Sequence, residues 1–473
     1  MTILYLLTFL LLALFAAHRL WLFLDWLLRA VPVPAPVPVP VLPITVQLPL
    51  YNERAVCVRA IDAACALDWP DLEIQVLDDS DPDDPTPALC AARVAHHRAR
   101  GIDIHHIRRP HREGFKAGAL AHGHVQARGE LIAVFDADFV PPPDFLQRLA
   151  PELADPRVGL AQARWGHLNA DDSLLTRAQA ALLDAHFLVE NGARAAAGRF
   201  FNFSGTAGLW RRAAIDEAGG WQSDTLTEDM DLSYRAQLAG WRFVFRPDVI
   251  VPAELPADLP ALRTQQFRWA KGQTQVLVKL LPAVLRARLP LATKLDAAMH
   301  LASNLVYPLL LLLSLLWAPA LAAGLPLFPL WALAPTVVVA LFYGAVGPSR
   351  IVGVLGAIVL CLGLVLSQSR AVIEGLVGRR SPFVRTPKQG AYAAASHAAW
   401  PELALALAYA ALAAGAVRYS LYSTPPFAAL FAVGALWVGI GTADQMPKKK
   451  KTRRNGRWRE ISKPLRKVGG LHK

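Results

Sequence analysis

Residues 131–139, Leu131-Ile132-Ala133-Val134-Phe135-Asp136-Ala137-Asp138-Phe139, run an apolar stretch into two carboxylates separated by one residue. The apolar half reads as a buried strand. Alternation along the end of that strand directs Asp136 and Asp138 to one side, where two carboxylates suit a hard divalent cation. Mg2+ or Mn2+ held there would bridge a diphosphate and neutralise charge developing on a leaving group.

Working outward, residues 43–251 alternate short β-branched runs with longer Ala/Leu-rich stretches, the pattern of an α/β sheet. Strands are expected at 44–48, 73–77, 102–107, 131–135 and 158–162, with helices at 55–66, 87–100 and 116–127. Ligands of such sheets sit beyond the carboxyl ends of the strands, and a second acidic cluster lies at one of those ends. There Asp78 and Asp79 of Val76-Leu77-Asp78-Asp79-Ser80 can accept hydrogen bonds from a base and ribose. Asp81, Asp83 and Asp84 nearby read as turn residues. Lys116, among the small residues of Gly114-Phe115-Lys116-Ala117-Gly118, can reach phosphates as a point charge.

Two further clusters follow, Leu226-Thr227-Glu228-Asp229-Met230-Asp231 and Gln265-Gln266-Phe267-Arg268-Trp269. A carboxylate beside an acceptor hydroxyl can remove its proton during an inverting displacement, and Asp229, with Glu228 second, is the candidate. The Trp269 face can stack on a sugar ring, while Arg268 and Gln265 can bind diphosphate or hydroxyl groups.

The remainder of the chain is apolar. With 473 residues, 54% hydrophobic content and a mean hydropathy of +0.31, it is too apolar for an ordinary soluble domain. Residues 3–28 are long enough to span a bilayer and lack the basic leader and small-residue cleavage site of a signal peptide. Further hydrophobic segments lie at 301–321, 327–346, 351–366, 393–414 and 426–441. Residues 351–377 are expected to be interfacial or re-entrant, which leaves an even number of crossings between the catalytic region and the basic loop 378–388. The formal charge of +12 does not indicate nucleic acid, because residues 448–473 hold twelve Lys/Arg against one acid, Glu460. A basic tail after a hydrophobic segment suits a cytoplasmic face and anionic lipid. The four cysteines lie in no CxxC pair and read as small buried hydrophobes, and no Walker-type glycine loop supports a nucleotide-driven transporter.

The ordered set DDS, DAD, TED and QQFRW resembles the D, D, D, QxxRW signature of processive family-2 glycosyltransferases, among them cellulose, chitin and hyaluronan synthases. More closely, QVLDDS (75–80), KAGAL (116–120), IAVFDADF (132–139), QARW (162–165), GTAGLW (205–210) and EDMDL (228–232) resemble the cellulose-synthase-like A group, the glucomannan 4-β-mannosyltransferases. The resemblance implies an α/β GT-A domain inserted between transmembrane helices, a GDP-mannose or UDP-glucose donor, a divalent metal and inversion at the anomeric carbon. It assigns Asp79 to the nucleoside, Asp138 to the metal and Asp229 to the acceptor hydroxyl. Gln265, Arg268 and Trp269 go to the donor phosphates and acceptor terminus, with Thr227 beside them. Phe383, Thr386 and Lys388, in Phe383-Val384-Arg385-Thr386-Pro387-Lys388, resemble the FxVTxK gating loop of bacterial cellulose synthases, with Arg385 as a departure.

The expected organisation is therefore a membrane helix at 1–30, a Pro-rich linker at 31–42 and a cytosolic GT-A domain at 43–256. Interfacial helices at 257–296, a membrane domain at 297–443 and a basic tail at 444–473 complete it. The chain is expected to sit in a bacterial inner membrane or Golgi-type membrane and to elongate a β-linked glycan, with membrane lipids and an accessory export protein as further partners. The alternative acceptor is a lipid, as in ceramide glucosyltransferases.

Overall fold

The computed structural model describes residues 2–29, 41–322, 344, 351–379, 399–418 and 425–444. The Pro-rich linker as far as residue 40, the segment 327–346 except residue 344, the gating-like residues Phe383, Thr386 and Lys388, and the basic tail from residue 445 lie outside the described residues.

Seven strands form one mixed sheet: β1 (Ile44–Leu50), β2 (Leu72–Asp78), β3 (Ile104–Arg108), β4 (Leu131–Val134), β5 (Val158–His167), β6 (Gly208–Arg211) and β7 (Arg242–Ala253). Their order is β3-β2-β1-β4-β6-β5-β7. β3, β2, β1 and β4 are parallel, β6 runs antiparallel between β4 and β5, and β7 is parallel to β5. The order reverses across β1 and β4, and in open α/β sheets that reversal opens a crevice at the carboxyl ends.

Register in the parallel half is fixed by side chains on both faces. Thr45 pairs with Glu73 and Gln47 with Gln75, and each pair is hydrogen-bonded across the strands, at 2.6 and 3.1 Å. A slip of one residue would turn these polar groups into the apolar face, where Val46, Leu48, Ile74 and Val76 are buried. That face is covered by the helices Cys57–Cys65 and Thr86–Arg98, which contribute Cys57, Ile61, Cys90 and Val94. On the other face, Leu77 packs with Leu120 of the helix Phe115–Gln126.

Among the described residues outside the sheet, four helices are long and apolar enough to cross a membrane: Thr2–Leu28, Ser303–Ala320, Trp400–Arg418 and Pro425–Ala443. The segment expected to be re-entrant is a helix pair, Val352–Gly363 and Val365–Leu376, bent by 57°. Between the sheet and these helices runs Leu259–Arg286, a 28-residue helix. Asp258 caps its first turn by accepting from the Ala261 N–H at 2.7 Å.

The first of these apolar helices is joined to the sheet domain by buried charge. Asp296, 0% exposed, accepts from His18 Nε2 at 2.8 Å and from Arg194 Nε at 3.2 Å. Arg199 pairs with Asp25 and lies 3.4 Å from the second Asp296 oxygen. Removing one partner of such a cluster leaves guanidinium charge buried without compensation. Asp296→Ala is expected to destabilise the folded chain by about 3–5 kcal/mol, read as a large fall in the thermal midpoint of the detergent-purified protein. An unchanged midpoint would remove the cluster from the account of stability.

Candidate active site

Beyond the carboxyl ends of β1, β2 and β4 lies a cavity of about 190 Å3. It collects residues from all four sequence clusters. Asp79, Lys116, Asp136, Asp138, Thr227, Glu228, Asp229, Gln265, Arg268 and Trp269 all line it.

Asp78 does not join them. It is the last residue of β2, its side chain is fully buried, and its oxygens accept from the Ser80 N–H at 2.9 Å and His106 Nε2 at 2.9 Å. Neighbouring residues of an extended chain face opposite sides, so only one of an adjacent pair reaches the cavity. Here that residue is Asp79, held by Arg109, whose Nε lies 2.9 Å from Oδ1 and whose Nη2 binds Oδ2. Arg109 also donates to the Glu113 carbonyl at 2.8 Å, tying Asp79 to the loop that leads into Lys116.

Lys116 is the electrostatic centre. Its ammonium donates to Asp136 Oδ1 at 2.5 Å and to the Gly205 carbonyl at 2.9 Å, and lies 3.9 Å from Glu228. Burial would pull its pKa down, but Asp136, Glu228 and Asp229 hold it above the ordinary lysine value. Asp136 in turn donates its backbone N–H to Thr206 Oγ1 at 3.0 Å, which fixes the turn after β4. Two residues on, Asp138 is buried to 5% exposure while still lining the cavity.

Asp229 stands in the first turn of the helix Glu228–Leu238, where its Oδ1 accepts from the Met230 N–H at 2.8 Å. Burial, then the neighbouring Glu228 charge, pushes its carboxyl up to about 7, against the opposing pull of Lys116 and Arg268. A carboxylate poised near neutrality is suited to general-base work.

The helix Leu259–Arg286 supplies the opposite wall. Burial lowers the Arg268 pKa, against Glu228, Asp136 and Asp229, the three carboxylates that its guanidinium faces. Trp269 lies 6.4 Å from Trp165 between ring centroids, and Trp165 contacts Phe139 and Phe187 at 5.1 and 5.3 Å. These rings form an apolar ledge at one end of the cavity. The helix approaches the Thr227 loop closely because residue 272 is glycine. A Cβ there would stand 2.8 Å from the Thr227 backbone nitrogen. The Gln275 side chain then accepts from the Leu226 N–H at 2.9 Å. One helix thus positions both the QFRW residues and the loop before Asp229.

Several residues here were not singled out from sequence. Arg109 and Arg112 belong to none of the four sequence clusters, yet Arg109 holds Asp79, and Arg112 stacks 3.4 Å over the Tyr51 ring and lines the cavity. Gly205, seen only as part of a motif, has φ +81°, and a Cβ there would lie 2.8 Å from Asp229 Oδ2. Gly205→Ala is expected to lower turnover at least tenfold through displacement of Asp229 and strain at positive φ, with the circular-dichroism spectrum unchanged. Full activity in this variant would show that Asp229 tolerates displacement.

Carboxylate oxygens with no thiol or imidazole among Asp136, Asp138, Glu228 and Asp229 make a donor set suited to Mg2+ or Mn2+, and the depth of Asp138 fits an ion at the cavity floor.

Comparison with known proteins gives this geometry relatives. Residues 40–272 match the family model described as glycosyltransferase like family 2. Glucomannan 4-beta-mannosyltransferase 2 of Arabidopsis thaliana is 45% identical over 250 residues, 51% of this chain and 46% of that protein. Glucomannan 4-beta-mannosyltransferase 1 of Oryza sativa subsp. japonica is 45% identical over 254 residues, 51% of this chain and 48% of that one. The chain thus matches about half the length of these curated relatives. Among solved structures, a mannosyltransferase from Pyrobaculum calidifontis in complex with GDP-Man and Mn2+ superposes with a TM-score of 0.57. That alignment covers 80% of this chain and 100% of the other at 23% identity, a likeness of fold.

Proposed function

On the premise that residues 40–272 belong to glycosyltransferase family 2, we propose that this protein is an inverting membrane hexosyltransferase that extends a β-linked glycan from a nucleotide-sugar, with GDP-mannose as the donor. The observation that carries the reading is the convergence of four sequence clusters, spread from Asp79 to Trp269, on one cavity at the carboxyl ends of β1, β2 and β4. Mannose is favoured by the names of the 45%-identical relatives.

In this reading Asp79 binds the nucleoside, and Lys116, Arg268 and Gln265 hold the diphosphate. Asp136 and Asp138 would hold a divalent ion, which when bound supplies positive charge to the departing diphosphate. Trp269, with Thr227 at its side, seats the acceptor sugar, stacked over the aromatic ledge. Asp229 takes the proton from the attacking hydroxyl, and no covalent intermediate is needed. The aromatic, acidic lining suits a sugar chain as acceptor, and the apolar helices support a reaction at a membrane. The catalytic domain then faces the cytosol, on the same side as the basic tail.

The test uses purified membranes containing the chain, labelled GDP-mannose or UDP-glucose, and Mg2+ or Mn2+. Insoluble product from GDP-mannose that a β-mannanase degrades is expected, with incorporation abolished by a chelator and restored by the metal. Label confined to the solvent-extractable phase would instead assign a lipid acceptor, and incorporation from UDP-glucose alone would reassign the donor.

A further inference from the structure

The sequence places Cys57, Asp78, Cys90 and His106 far apart, with no metal-ligand spacing, and the fold brings them together beneath the nucleoside end of the cavity. The Asp78, Cys90 and His106 ligand atoms all lie within 4.8 Å of one another. The Cys57 thiol neighbours the Cys90 thiol, and both are fully buried. Each of the four comes from a different element: the helix Cys57–Cys65, the end of β2, the helix Thr86–Arg98 and β3. The parity of β2 is the cause. Asp78 shares its face with Ile74 and Val76, the face these two helices cover, so its carboxylate points at their thiols and away from the donor cavity.

We propose that Cys57, Asp78, Cys90 and His106 form a structural Zn2+ site, separate from the Asp136–Asp138 site. Two thiols, one imidazole and one carboxylate are a soft, nitrogen-containing set of the kind that selects zinc over Mg2+ or Mn2+. In a tetrahedral centre, ligand atoms at bond lengths of about 2.0–2.3 Å stand about 3.3–3.8 Å apart, so the Asp78, Cys90 and His106 atoms, within 4.8 Å of one another, need only small shifts to meet one ion, with Cys57 as the adjacent thiol that completes the set. His106 Nε2 and Asp78 Oδ2, now 2.9 Å apart, need to part only slightly. Binding expels the two thiol protons, and the His106 proton that now bridges to Asp78 moves to Nδ1. The bound set carries one net negative charge, and Arg108 is placed to offset it, with Nε 3.6 Å from Asp78 Oδ2. The Ser80 N–H, which donates to Asp78 Oδ1 at 2.9 Å, orients the carboxylate from the second side. Zinc would replace one hydrogen bond between neighbouring strands with four bonds joining four elements, and would stiffen the floor from which Asp79 projects.

The experiment uses the full chain in detergent, in an Asp138→Asn background so that metal at the diphosphate site is not counted. The chain is exposed to Zn2+, dialysed and analysed for metal, and a parallel sample is loaded with Co2+ for its absorption spectrum. About one equivalent of zinc per chain is expected, with Co2+ showing tetrahedral bands and thiolate-to-metal charge transfer. Cys90→Ala should lose both. His106→Asn, at a half-buried position that tolerates change better, should lose the zinc while retaining the fold by circular dichroism. The proposal is overturned if zinc content equals that of a Cys57→Ala/Cys90→Ala double variant, or if Co2+ binds without a charge-transfer band.

Discussion

Asp229→Asn is expected to lower turnover by about 10²–10⁴-fold, the usual contribution of a positioned base, while nucleotide-sugar affinity changes little. The amide has the shape of the carboxylate and can still accept from the Met230 N–H, so the helix start is preserved. It cannot take a proton. Calorimetric titration with GDP-mannose, set beside the labelled-product assay, separates the two effects, and equal losses of binding and turnover would move Asp229 from base to donor ligand. The same residue predicts a pH profile. Its carboxyl is pushed up to about 7, and the base must be ionised to work. Turnover should therefore be full above that value and fall about tenfold per pH unit below it. A rate flat down to pH 5 would mean that the essential base is another group.

Arg268→Ala is expected to reduce kcat/KM by about 10²–10³-fold, the size of loss seen when a buried charge-stabilising group is removed from a reaction site. Its guanidinium lies among Glu228, Asp136 and Asp229, so truncation leaves three carboxylates around the diphosphate position with Lys116 and Arg112 as the cations of the cavity lining. The loss should appear in both donor affinity and turnover, unlike that of Asp229→Asn. Arg268→Lys should recover only part of it, because an ammonium cannot present two parallel donors to a phosphate. Recovery of full activity with lysine would show that charge alone is required.

The parallel half of the sheet was legible because its strands are apolar runs bounded by turns, and β1 to β5 lie within a few residues of where the pattern puts them. β6 and β7 were not. β6 is only four residues long, Gly208–Arg211. β7 carries Pro247, Pro252, Arg246 and Asp248, which break the alternation that marks a strand. At the cavity, spacing decided what could be read. Asp136 and Asp138 both line it, but by way of the turn that the Phe139 N–H closes on the Asp136 carbonyl rather than by strand alternation, since β4 ends at Val134, whereas the adjacent Asp78 and Asp79 at the end of β2 could not both do so. Gly205 and Gly272 act by what they lack, and the contacts that make a missing Cβ matter come from residues distant in the chain.

The buried charges around Asp296 bear on how this protein can be cut and handled. Arg194 and Arg199 belong to the catalytic half, but their counter-charges, Asp25 and Asp296, come from segments that flank it on both sides. A fragment trimmed to the sheet domain would carry two guanidinium groups evolved for a dry seam and now turned to water, beside an apolar surface with nothing to cover it. The segments on either side of the sheet domain clasp it. Soluble versions will need those two arginines redesigned before they behave as independent proteins.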